Sequence, residues 1–234
     1  MVLLNIYDLG KDYYIENSRT MERKKIEVIK DVSLQIREKE SVAIMGKSGC
    51  GKTTLLKMMG GLLVPSTGSI YYKGENLLDL KKEHLEKYRR TQIGFVFQDY
   101  KLLESMTIKE NMILPCVLDH QDIETSICKV ERMAEMLNIS DRLDHYPSEL
   151  SGGEKQRAAI GRALINSPSL ILADEPTGNL DFASSKIVME LLVKLQQELN
   201  ITMILVTHDR EIANYCNRVV QIQDGQICKI RSHN

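Results

Sequence analysis

The sequence has 234 residues, the length of one compact domain or of two subdomains that share a core. Hydrophobic residues make up 43% and charged residues 27% of the chain, and these fractions exclude a disordered or fibrous protein. Lys and Arg number 31 against 32 Asp and Glu, so the net charge is −1. This balance argues against a protein whose main partner is nucleic acid or an anionic lipid surface.

Membrane insertion and secretion are not expected from the sequence. No apolar run approaches the roughly eighteen residues that a membrane-spanning helix needs. The first ten residues contain no basic segment and no small-residue cleavage site, so they do not resemble a secretory signal. The five cysteines form no C-x-x-C pair, which argues against a disulfide framework or a zinc site. We therefore expect a cytoplasmic protein with reduced thiols that reaches a membrane only through another polypeptide.

The first forty residues have the alternating pattern of β-strands, with Val28, Val32, Leu34 and Ile36 spaced two apart across part of the run. Within this region, the polar run at residues 15–25 predicts a loop or a hairpin tip.

A buried strand and a helix are predicted on either side of a glycine-rich turn. Ser41–Met45 is a short apolar run of the kind found in buried parallel strands, and Lys52–Leu63 favours a helix. A turn at 65–68 and a strand at Ser69–Lys73 follow, and Gly74 breaks that strand.

The middle of the chain is predicted to be mostly helical. Lys81–Arg90 is a charged helix, and Ile93–Phe97 is another buried strand. Apolar residues then recur at intervals of three and four over 121–137, which indicates an amphipathic helix. Glu154–Asn166 is a further helix, so that a helical insert occupies about residues 99–164.

Strands return in the last third of the chain. They are predicted at Leu170–Ala173 and Ile201–Val206, with a helix between them that ends near Asn200. Asp224-Gly225 is a hairpin-turn signal that lies between two further strand segments in residues 219–230. The alternation of strands and helices at both ends predicts an α/β core with a helical subdomain.

Residues 46–53, with the sequence GKSGCGKT, fit the phosphate-loop pattern G-x-x-x-x-G-K-[ST] between a buried strand and a helix. Glycines let backbone N–H groups turn toward phosphate oxygens, and the helix N-terminus adds its positive end. We expect Lys52 to reach the β- and γ-phosphates and the Thr53 hydroxyl to bind Mg²⁺. The alternative is a glycine-rich turn with an incidental lysine, which the flanking elements disfavour. The residues predicted to bind nucleotide in this segment are Gly46, Lys47, Ser48, Gly49, Cys50, Gly51, Lys52, Thr53 and Thr54.

Two carboxylates follow the apolar strand at 170–173. An acid at the carboxyl end of a parallel strand near a phosphate loop is placed to hold Mg²⁺, directly or through water, and this is the role expected of Asp174. Glu175 is expected to point away from Asp174, and it could polarise an attacking water as general base. Considered alone, the pair would be better explained as a polar Asp-Glu-Pro turn that leaves the core; the phosphate loop favours the catalytic interpretation.

Residues 150–157, with the sequence LSGGEKQR, lead into the second helix of the insert. Ser151 is expected to cap this helix, and Gly152 and Gly153 expose backbone N–H groups at its positive end. The segment is thus a second anion site without a lysine to complete it, and simple helix capping is the competing interpretation.

LSGGEKQR resembles the signature motif of ATP-binding-cassette (ABC) ATPases, and the similarity extends over nearly the whole chain. Gln98, which ends IGFVFQ, is similar to the glutamine loop that senses Mg²⁺ and the membrane partner. GNLD at 178–181 resembles the loop that crosses to the opposing subunit and contributes Asp181.

Two further positions complete the resemblance to the ABC family. His208 is similar to the switch histidine that contacts the γ-phosphate. Tyr13 resembles the aromatic residue that stacks on adenine, with the adjacent Tyr14 as the alternative. Cys50 is a departure, because serine is common at this position of the family's phosphate loop. Since the position contributes mainly backbone, ATP binding is expected to survive, with sensitivity to thiol reagents.

The resemblance implies a single ABC ATPase domain over residues 1–234. Its fold would be α/β, a phosphate-loop NTPase core with a mostly parallel sheet, an N-terminal antiparallel β-subdomain and an inserted α-helical subdomain. Residues 1–98 and 165–234 would form the nucleotide-binding core with the β-subdomain, and 99–164 the helical subdomain. The implied reaction is hydrolysis of ATP with Mg²⁺ as cofactor.

The resemblance also implies two protein partners. Two copies would pack head to tail, so that Ser151 and Gly153 of one copy face the γ-phosphate that Lys52 of the other copy holds. A transmembrane permease would contact the region near 98–111 and would recruit the chain to the inner face of the membrane as a peripheral subunit.

Within the family, IGFVFQDYKLL, the TGNLD loop and the polar insert before VIKDVSL are most similar to one branch. That branch includes ATPases for lipoprotein release, macrolide and antimicrobial-peptide efflux, and cell-division signalling. We expect export or release of a peptide, an antibiotic or a lipoprotein. The alternative is an ATPase that signals through its permease without moving a substrate.

Two other classes of ABC protein fit the sequence less well. DNA-repair and chromosome-associated ATPases place a long coiled coil between the two motifs, whereas only 99 residues separate Lys52 from Ser151 here, with no extended heptad run. A translation factor of the ABC class would carry two cassettes in one chain, and this sequence has one.

Overall fold

The computed structural model describes residues 1–16 and 23–232, which divide into two compact units. The first unit comprises Met1–Leu85 and Val206–Asn234, and the second comprises Glu86–Leu205. Among the described residues, no helix combines the length and the apolar character that crossing a bilayer requires.

Strands and helices alternate along most of the chain. In order they are β1 (Val2–Glu16), β2 (Arg23–Arg37), β3 (Ser41–Met45), α1 (Lys52–Met59), β4 (Thr67–Tyr72), β5 (Glu75–Asn76), α2 (Lys82–Thr91), β6 (Ile93–Phe97), α3 (Ile108–Leu118), α4 (Ile123–Met136), α5 (Gly152–Leu164), β7 (Leu170–Asp174), α6 (Phe182–Glu198), β8 (Thr202–Thr207), α7 (Arg210–Ala213), β9 (Arg218–Gln223) and β10 (Gln226–Ser232).

The first unit contains an antiparallel sheet with the strand order β2-β1-β4-β5. Leu4 and Ile6 of β1 lie opposite Ile36 and Leu34 of β2, and all four side chains are buried. Because alternate side chains of a strand point to the same face, this apolar row forms the core beneath the sheet. The antiparallel β-region expected from the family resemblance is therefore present.

The alternation of β2 is interrupted near its middle. Val32–Ile36 alternates between buried and exposed side chains as predicted, but upstream Ile29 is buried and Val28 is only half-buried. Asp31 adopts a left-handed backbone, with φ 48°, and the pairing with β1 shifts register nearby. An irregularity of this kind exchanges the two faces of a strand. Val28 therefore does not share the buried face of Val32, Leu34 and Ile36, and the predicted alternation holds only over Val32–Ile36.

The polar run at 15–25 is strand at both of its ends. Glu16 of β1 pairs with Arg23 of β2, so the antiparallel ladder continues past the expected start of the loop. Antiparallel pairing satisfies the backbone hydrogen-bonding groups of polar residues as well as those of apolar ones. A loop boundary predicted from polarity alone therefore ended the first strand too early. The rest of the predicted loop or hairpin tip, residues 17–22, lies outside the described residues.

A second set of strands in the first unit has the order β10-β9-β3. β3 and β9 are parallel, and β9 and β10 form the predicted hairpin. Asp224 and Gly225 both have positive φ, 50° and 83°, as a tight two-residue hairpin turn requires. The Gly225 carbonyl accepts a hydrogen bond of 2.9 Å from the Lys30 N–H, which ties this turn to β2.

In the second unit the strand order is β8-β7-β6, with β6 and β7 parallel. α5 lies close to β6, since a Cβ on Gly94 would stand 2.5 Å from the Ala163 carbonyl oxygen. Gly161, on the same helix, lies against Met112 of α3 and Leu137 at the end of α4. Small residues therefore let the three helices and the strand pack closely.

Several predicted helix boundaries differ from the structure, and one helix was not predicted. α1 ends at Met59 instead of Leu63, because the chain turns at Gly60 and at Gly61, which has φ 66°. α5 begins two residues earlier than predicted, at Gly152. α3 was not separately predicted within the helical insert; it contains Pro115 and lacks a strong apolar stripe.

Candidate nucleotide-binding site

The phosphate-loop segment lies between buried β3 and α1, as the motif predicts. Gly49 and Gly51 have φ of 79° and 100°, the left-handed region that favours glycine. A Cβ on Gly51 would also stand 2.8 Å from the Val28 carbonyl oxygen, and one on Gly46 would stand 2.4 Å from the Ile222 carbonyl oxygen. The glycines of the pattern are therefore required by the path of the backbone.

Lys52 lies within the loop and is only 7% exposed. Its Nζ donates hydrogen bonds to the carbonyl oxygens of Gly46, at 3.0 Å, and Lys47, at 3.1 Å. An ammonium group has three N–H donors, so one more acceptor can be bound from this position. A buried ammonium at the start of a helix, in a left-handed glycine turn, fits the phosphate groups of a nucleotide.

Cys50 is a half-buried thiol inside the same loop. Its Sγ lies 2.5 Å from the position that a Cβ of Gly46 would occupy, and its backbone N–H donates to the Lys47 carbonyl at 3.3 Å. The side chain thus packs against the start of the loop, and the backbone fold is compatible with cysteine at this position.

His208 follows β8 and precedes α7. The next residue, Asp209, is fixed on both sides: its N–H donates to Thr207 Oγ1 at 3.0 Å, and its Oδ1 accepts from the Glu211 N–H at 2.8 Å. This capping arrangement orders the segment that carries the exposed His208.

Tyr13 and Tyr14 lie near the C-terminal end of β1, and their side chains are 41% and 60% exposed. Lys11 Nζ lies 5.5 Å from the centre of the Tyr13 ring, and the Arg23 guanidinium lies 5.8 Å from that of Tyr14. Both rings thus have an accessible face, and the choice between them for adenine stacking stays a prediction.

The chain bends sharply where β7 ends, at two consecutive acidic residues. Asp174 is the last strand residue, and Glu175 has a left-handed backbone with φ 47°. The Glu175 carbonyl accepts the Gly178 N–H at 3.0 Å. Both carboxylates are half-buried at the carboxyl end of a parallel strand, which is where a metal ligand and a general base were predicted.

The glutamine loop contacts the GNLD loop through a reciprocal amide pair. Gln98 Nε2 donates to Asn179 Oδ1 at 3.1 Å, and Asn179 Nδ2 donates to the Gln98 carbonyl at 3.0 Å. A Cβ on Gly178 would stand 2.8 Å from Gln98 Nε2. Sequence reasoning did not assign Asn179 to the site, and only its position in the GNLD segment could have indicated it.

Ser151 caps α5, as predicted, in a reciprocal arrangement with Glu154. The Ser151 N–H and hydroxyl donate to Glu154 Oε2 at 2.8 and 2.6 Å, and Arg142 Nε donates to Oε1 at 2.7 Å. The hydrogen bonds from Ser151, and then the Arg142 guanidinium, lower the pKa of Glu154 to about 2. The cap therefore stays ionised at neutral pH.

Asp181 caps α6 by accepting hydrogen bonds from the Ser184 N–H, at 3.0 Å, and the Ser184 hydroxyl, at 2.6 Å. These bonds hold the pKa of its carboxyl below the ordinary value. A Cβ on Gly153 would stand 3.7 Å from the Ser184 side chain, so the starts of α5 and α6 lie side by side. Two helix N-termini with positive ends are thereby brought together, and their fields add.

The phosphate loop, with its buried ammonium at the start of a helix and the strand before it, defines a phosphate-loop nucleotide-binding protein. The comparisons with known proteins agree. The family model described as ABC transporter matches residues 29–178, which is more than half of the chain. The chain therefore belongs to the ABC transporter ATP-binding family.

Two curated relatives match most of the sequence. The lipoprotein-releasing system ATP-binding protein LolD of Bdellovibrio bacteriovorus is 42% identical, over 86% of this chain and 91% of its own. The bacitracin export ATP-binding protein BceA of Halalkalibacterium halodurans is 42% identical, over 97% of this chain and 87% of its own.

A solved structure extends the likeness to the whole fold. It is the dimeric post-hydrolysis state of the ATP-binding cassette MJ0796, bound to ADP and Pi. The TM-score is 0.88 at 35% identity, and the alignment covers 98% of both chains. The protein is accordingly an ATPase that binds ATP with Mg²⁺ and adopts the α/β ABC cassette fold.

Proposed function

We propose that the chain is the ATP-hydrolysing subunit of a membrane complex that exports or releases a peptide, an antibiotic or a lipoprotein. The named relatives at 42% identity, LolD and BceA, support this class of substrate. The observation that carries the ATP-driven part is the buried Lys52, whose ammonium is held between two carbonyl oxygens of the phosphate loop.

Each site residue has a specific role in this proposal. Lys52 binds the β- and γ-phosphates, and the loop N–H groups orient them. Thr53, Gln98 and Asp174 hold Mg²⁺, which supplies charge neutralisation on the phosphate oxygens. Glu175 accepts a proton from the attacking water. The remaining predicted contacts are His208 with the γ-phosphate, Tyr13 with adenine, and Asp181 with the opposing subunit.

The start of α5 is the reason for proposing that two copies of the chain act together. Ser151, Gly152 and Gly153 form a positive helix end with no lysine of their own, which is half of an anion site. In a head-to-tail pair this half faces the γ-phosphate on Lys52 of the other copy. ATP then joins the two copies, and its hydrolysis separates them.

A permease that contacts residues 98–111 holds the pair at the inner face of the membrane in this proposal. The segment includes exposed Leu103 and the start of α3. An asparagine inside it, Asn111, donates to the carbonyls of Leu103 and Met106 and accepts from the Leu103 N–H. This bonding gives the region a fixed shape, which a docking surface requires.

The proposed function is tested by isolating the complex in mild detergent through a tagged chain. We expect one membrane protein to co-purify with it. In proteoliposomes, the complex should move bacitracin or a diacylated lipopeptide in an ATP-dependent manner. ATP hydrolysis by the complex without movement of either probe would contradict transport of these substrates and would favour signalling through the permease.

A further inference from the structure

Residues 98–101, called the Gln98 segment below, are held at both ends by side chains of the second unit. Beyond Gln98 the chain turns through Tyr100 and Lys101, whose φ values are 59° and 52°. Two consecutive non-glycine residues in the left-handed region are unfavourable and persist only where neighbouring contacts impose them.

Arg162 of α5 supplies the contacts that hold this turn. Its two terminal nitrogens donate to consecutive carbonyl oxygens: Nη2 to Tyr100, at 2.8 Å, and Nη1 to Lys101. The guanidinium is half-buried, and this burial lowers its pKa below the ordinary arginine value. A planar fork donates to two successive carbonyls from two different nitrogens at fixed angles, whereas a lysine ammonium would have to reach both carbonyls from a single, freely rotating nitrogen.

The same turn lies against the start of α5. A Cβ on Gly152 would stand 3.0 Å from the Tyr100 hydroxyl and 3.0 Å from Leu180 Cδ2. The turn after Gln98 is thus bound to α5 through Arg162 and also lies against its N-terminal glycine. Movement of this segment is therefore mechanically coupled to the signature end of α5.

The other end of the segment has weaker contacts. Gln98 and Asn179 are both exposed, so their two amide hydrogen bonds compete with water. Gly178 permits the approach, because a methyl group there would overlap the Gln98 side chain. This end can open at small cost, whereas the Arg162 guanidinium is half-buried and its bond to the Tyr100 carbonyl is partly shielded from water.

We propose that Arg162 and Asn179 are positioning residues for Gln98. Arg162 is the fixed attachment that joins the Gln98 segment to the signature helix. Asn179 is the releasable attachment: it holds Nε2 of the Gln98 amide, and this bond must break if the amide is to rotate and bind Mg²⁺ through its Oε1. The inference rests on the proposed role of Gln98 and adds a competition between Asn179 and the metal ion for one side chain.

Arg162→Lys tests the fixed attachment, with the exposed Arg132→Lys on α4 as the matched control. We expect hydrogen exchange of the amides in 98–103 to become about fivefold faster in the nucleotide-free chain, while exchange in α4 stays unchanged. We also expect kcat to fall with KM for ATP nearly constant. Unchanged exchange in 98–103 would overturn the role of Arg162, because a residue that only stabilises the fold would alter Tm without a local effect.

Asn179→Ala and Gly178→Ala test the releasable attachment by two different routes. The first removes the partner of Gln98, and the second displaces the Gln98 side chain with a methyl group. Binding of a fluorescent ATP analogue should reach half-saturation at about threefold lower Mg²⁺ concentration in both variants, because a competing state is removed. These variants keep the proposal testable if Arg162→Lys fails to fold.

Gln98→Ala distinguishes the failure of this inference from the failure of the proposed function. If Gln98→Ala raises the Mg²⁺ requirement but Asn179→Ala and Gly178→Ala leave it unchanged, the competition is absent and the inference is wrong. If Gln98→Ala itself leaves the Mg²⁺ requirement unchanged, the proposed role of Gln98 fails, and the inference fails with it.

Discussion

Lys52 combines burial with two hydrogen bonds to carbonyl oxygens that lie five and six residues before it in the chain. These bonds hold a charged group where the chain turns from β3 into α1. The geometry follows from the glycines, since a side chain on Gly51 or Gly46 would collide with backbone oxygens. Binding of a phosphate oxygen adds a third acceptor to an ammonium group that is already positioned.

Lys52→Ala is expected to lower the affinity for ATP by at least about tenfold, because a charge-assisted bond to the phosphates is lost. Isothermal titration calorimetry measures the affinity directly. Lys57→Ala, on the exposed side of the same helix, is the matched control and should leave the affinity unchanged. Equal affinities in Lys52→Ala and the unaltered chain would contradict the phosphate-loop assignment.

The Glu154 carboxylate predicts a dependence of stability on pH. Its folded pKa is about 2, below the unfolded value of about 4.3, so its stabilising effect is complete above the unfolded pKa. The effect declines as the pH falls from about 5 toward 2. Glu154→Gln should therefore lower the free energy of unfolding by about 1 kcal/mol at pH 7, with a smaller difference at pH 4.

Urea unfolding at the two pH values measures this difference. Glu135→Gln, an exposed change on α4, serves as the control and should have little effect at either pH. A destabilisation by Glu154→Gln that is the same at pH 4 and pH 7 would argue against the ionised cap.

Sequence reasoning at the residue scale succeeded where local spacing determines the backbone geometry. The phosphate loop and the Ser151 cap depend on neighbours within eight positions, and the local pattern is sufficient to predict them. The Gln98–Asn179 pair joins residues that are 81 positions apart, and Arg162 reaches across 62 positions to Tyr100. Such contacts depend on the tertiary fold, so composition and periodicity gave no sign of them.

At the scale of elements, two helices begin with the same reciprocal cap. α5 uses Ser151 with Glu154, and α3 uses Thr107 with Glu110. In each, the hydroxyl accepts from the third helical N–H, and the glutamate side chain accepts from the backbone N–H of the cap residue. The two caps are alike in local chemistry, but only the α5 cap belongs to the signature motif.

Ser151→Ala and Thr107→Ala separate capping from nucleotide binding. Both are expected to lower the free energy of unfolding by about 1 kcal/mol, because each removes an N-cap. Only Ser151→Ala should weaken ATP-driven dimerisation, which analytical ultracentrifugation measures. Equal dimerisation in the two variants would assign Ser151 to capping alone.

The element boundaries show what periodicity can and cannot predict. α4 and the β9–β10 hairpin were predicted because their signals are local: an apolar stripe in the first and Asp224-Gly225 in the second. α3 lacks such a stripe, because its apolar residues are not confined to the face that it buries: Val117 and Leu118 are exposed, and Pro115 interrupts the pattern. In β2, the irregularity at Asp31 changes which face is buried, and a strict period of two cannot represent it.

At the scale of the whole molecule, the chain supplies one phosphate loop and one unpaired signature end. Membership of the ABC family and the likeness to a dimeric cassette over 98% of the chain account for both features if two copies act together. Resemblance to the family predicted this architecture, whereas composition and charge only excluded other classes. In the proposed complex the cargo depends on the permease, so it is tested on the complex and not on this chain.

The mass of the Glu175→Gln variant in solution, measured by light scattering with ATP and with ADP, tests the central claim most directly. Loss of the proposed general base should reduce steady-state hydrolysis by at least about a hundredfold while ATP still binds, so the bound nucleotide persists. We expect twice the monomer mass with Mg²⁺ and ATP, and the monomer mass with ADP. A monomer with ATP at saturating concentration, or near-normal hydrolysis by this variant, would contradict the account.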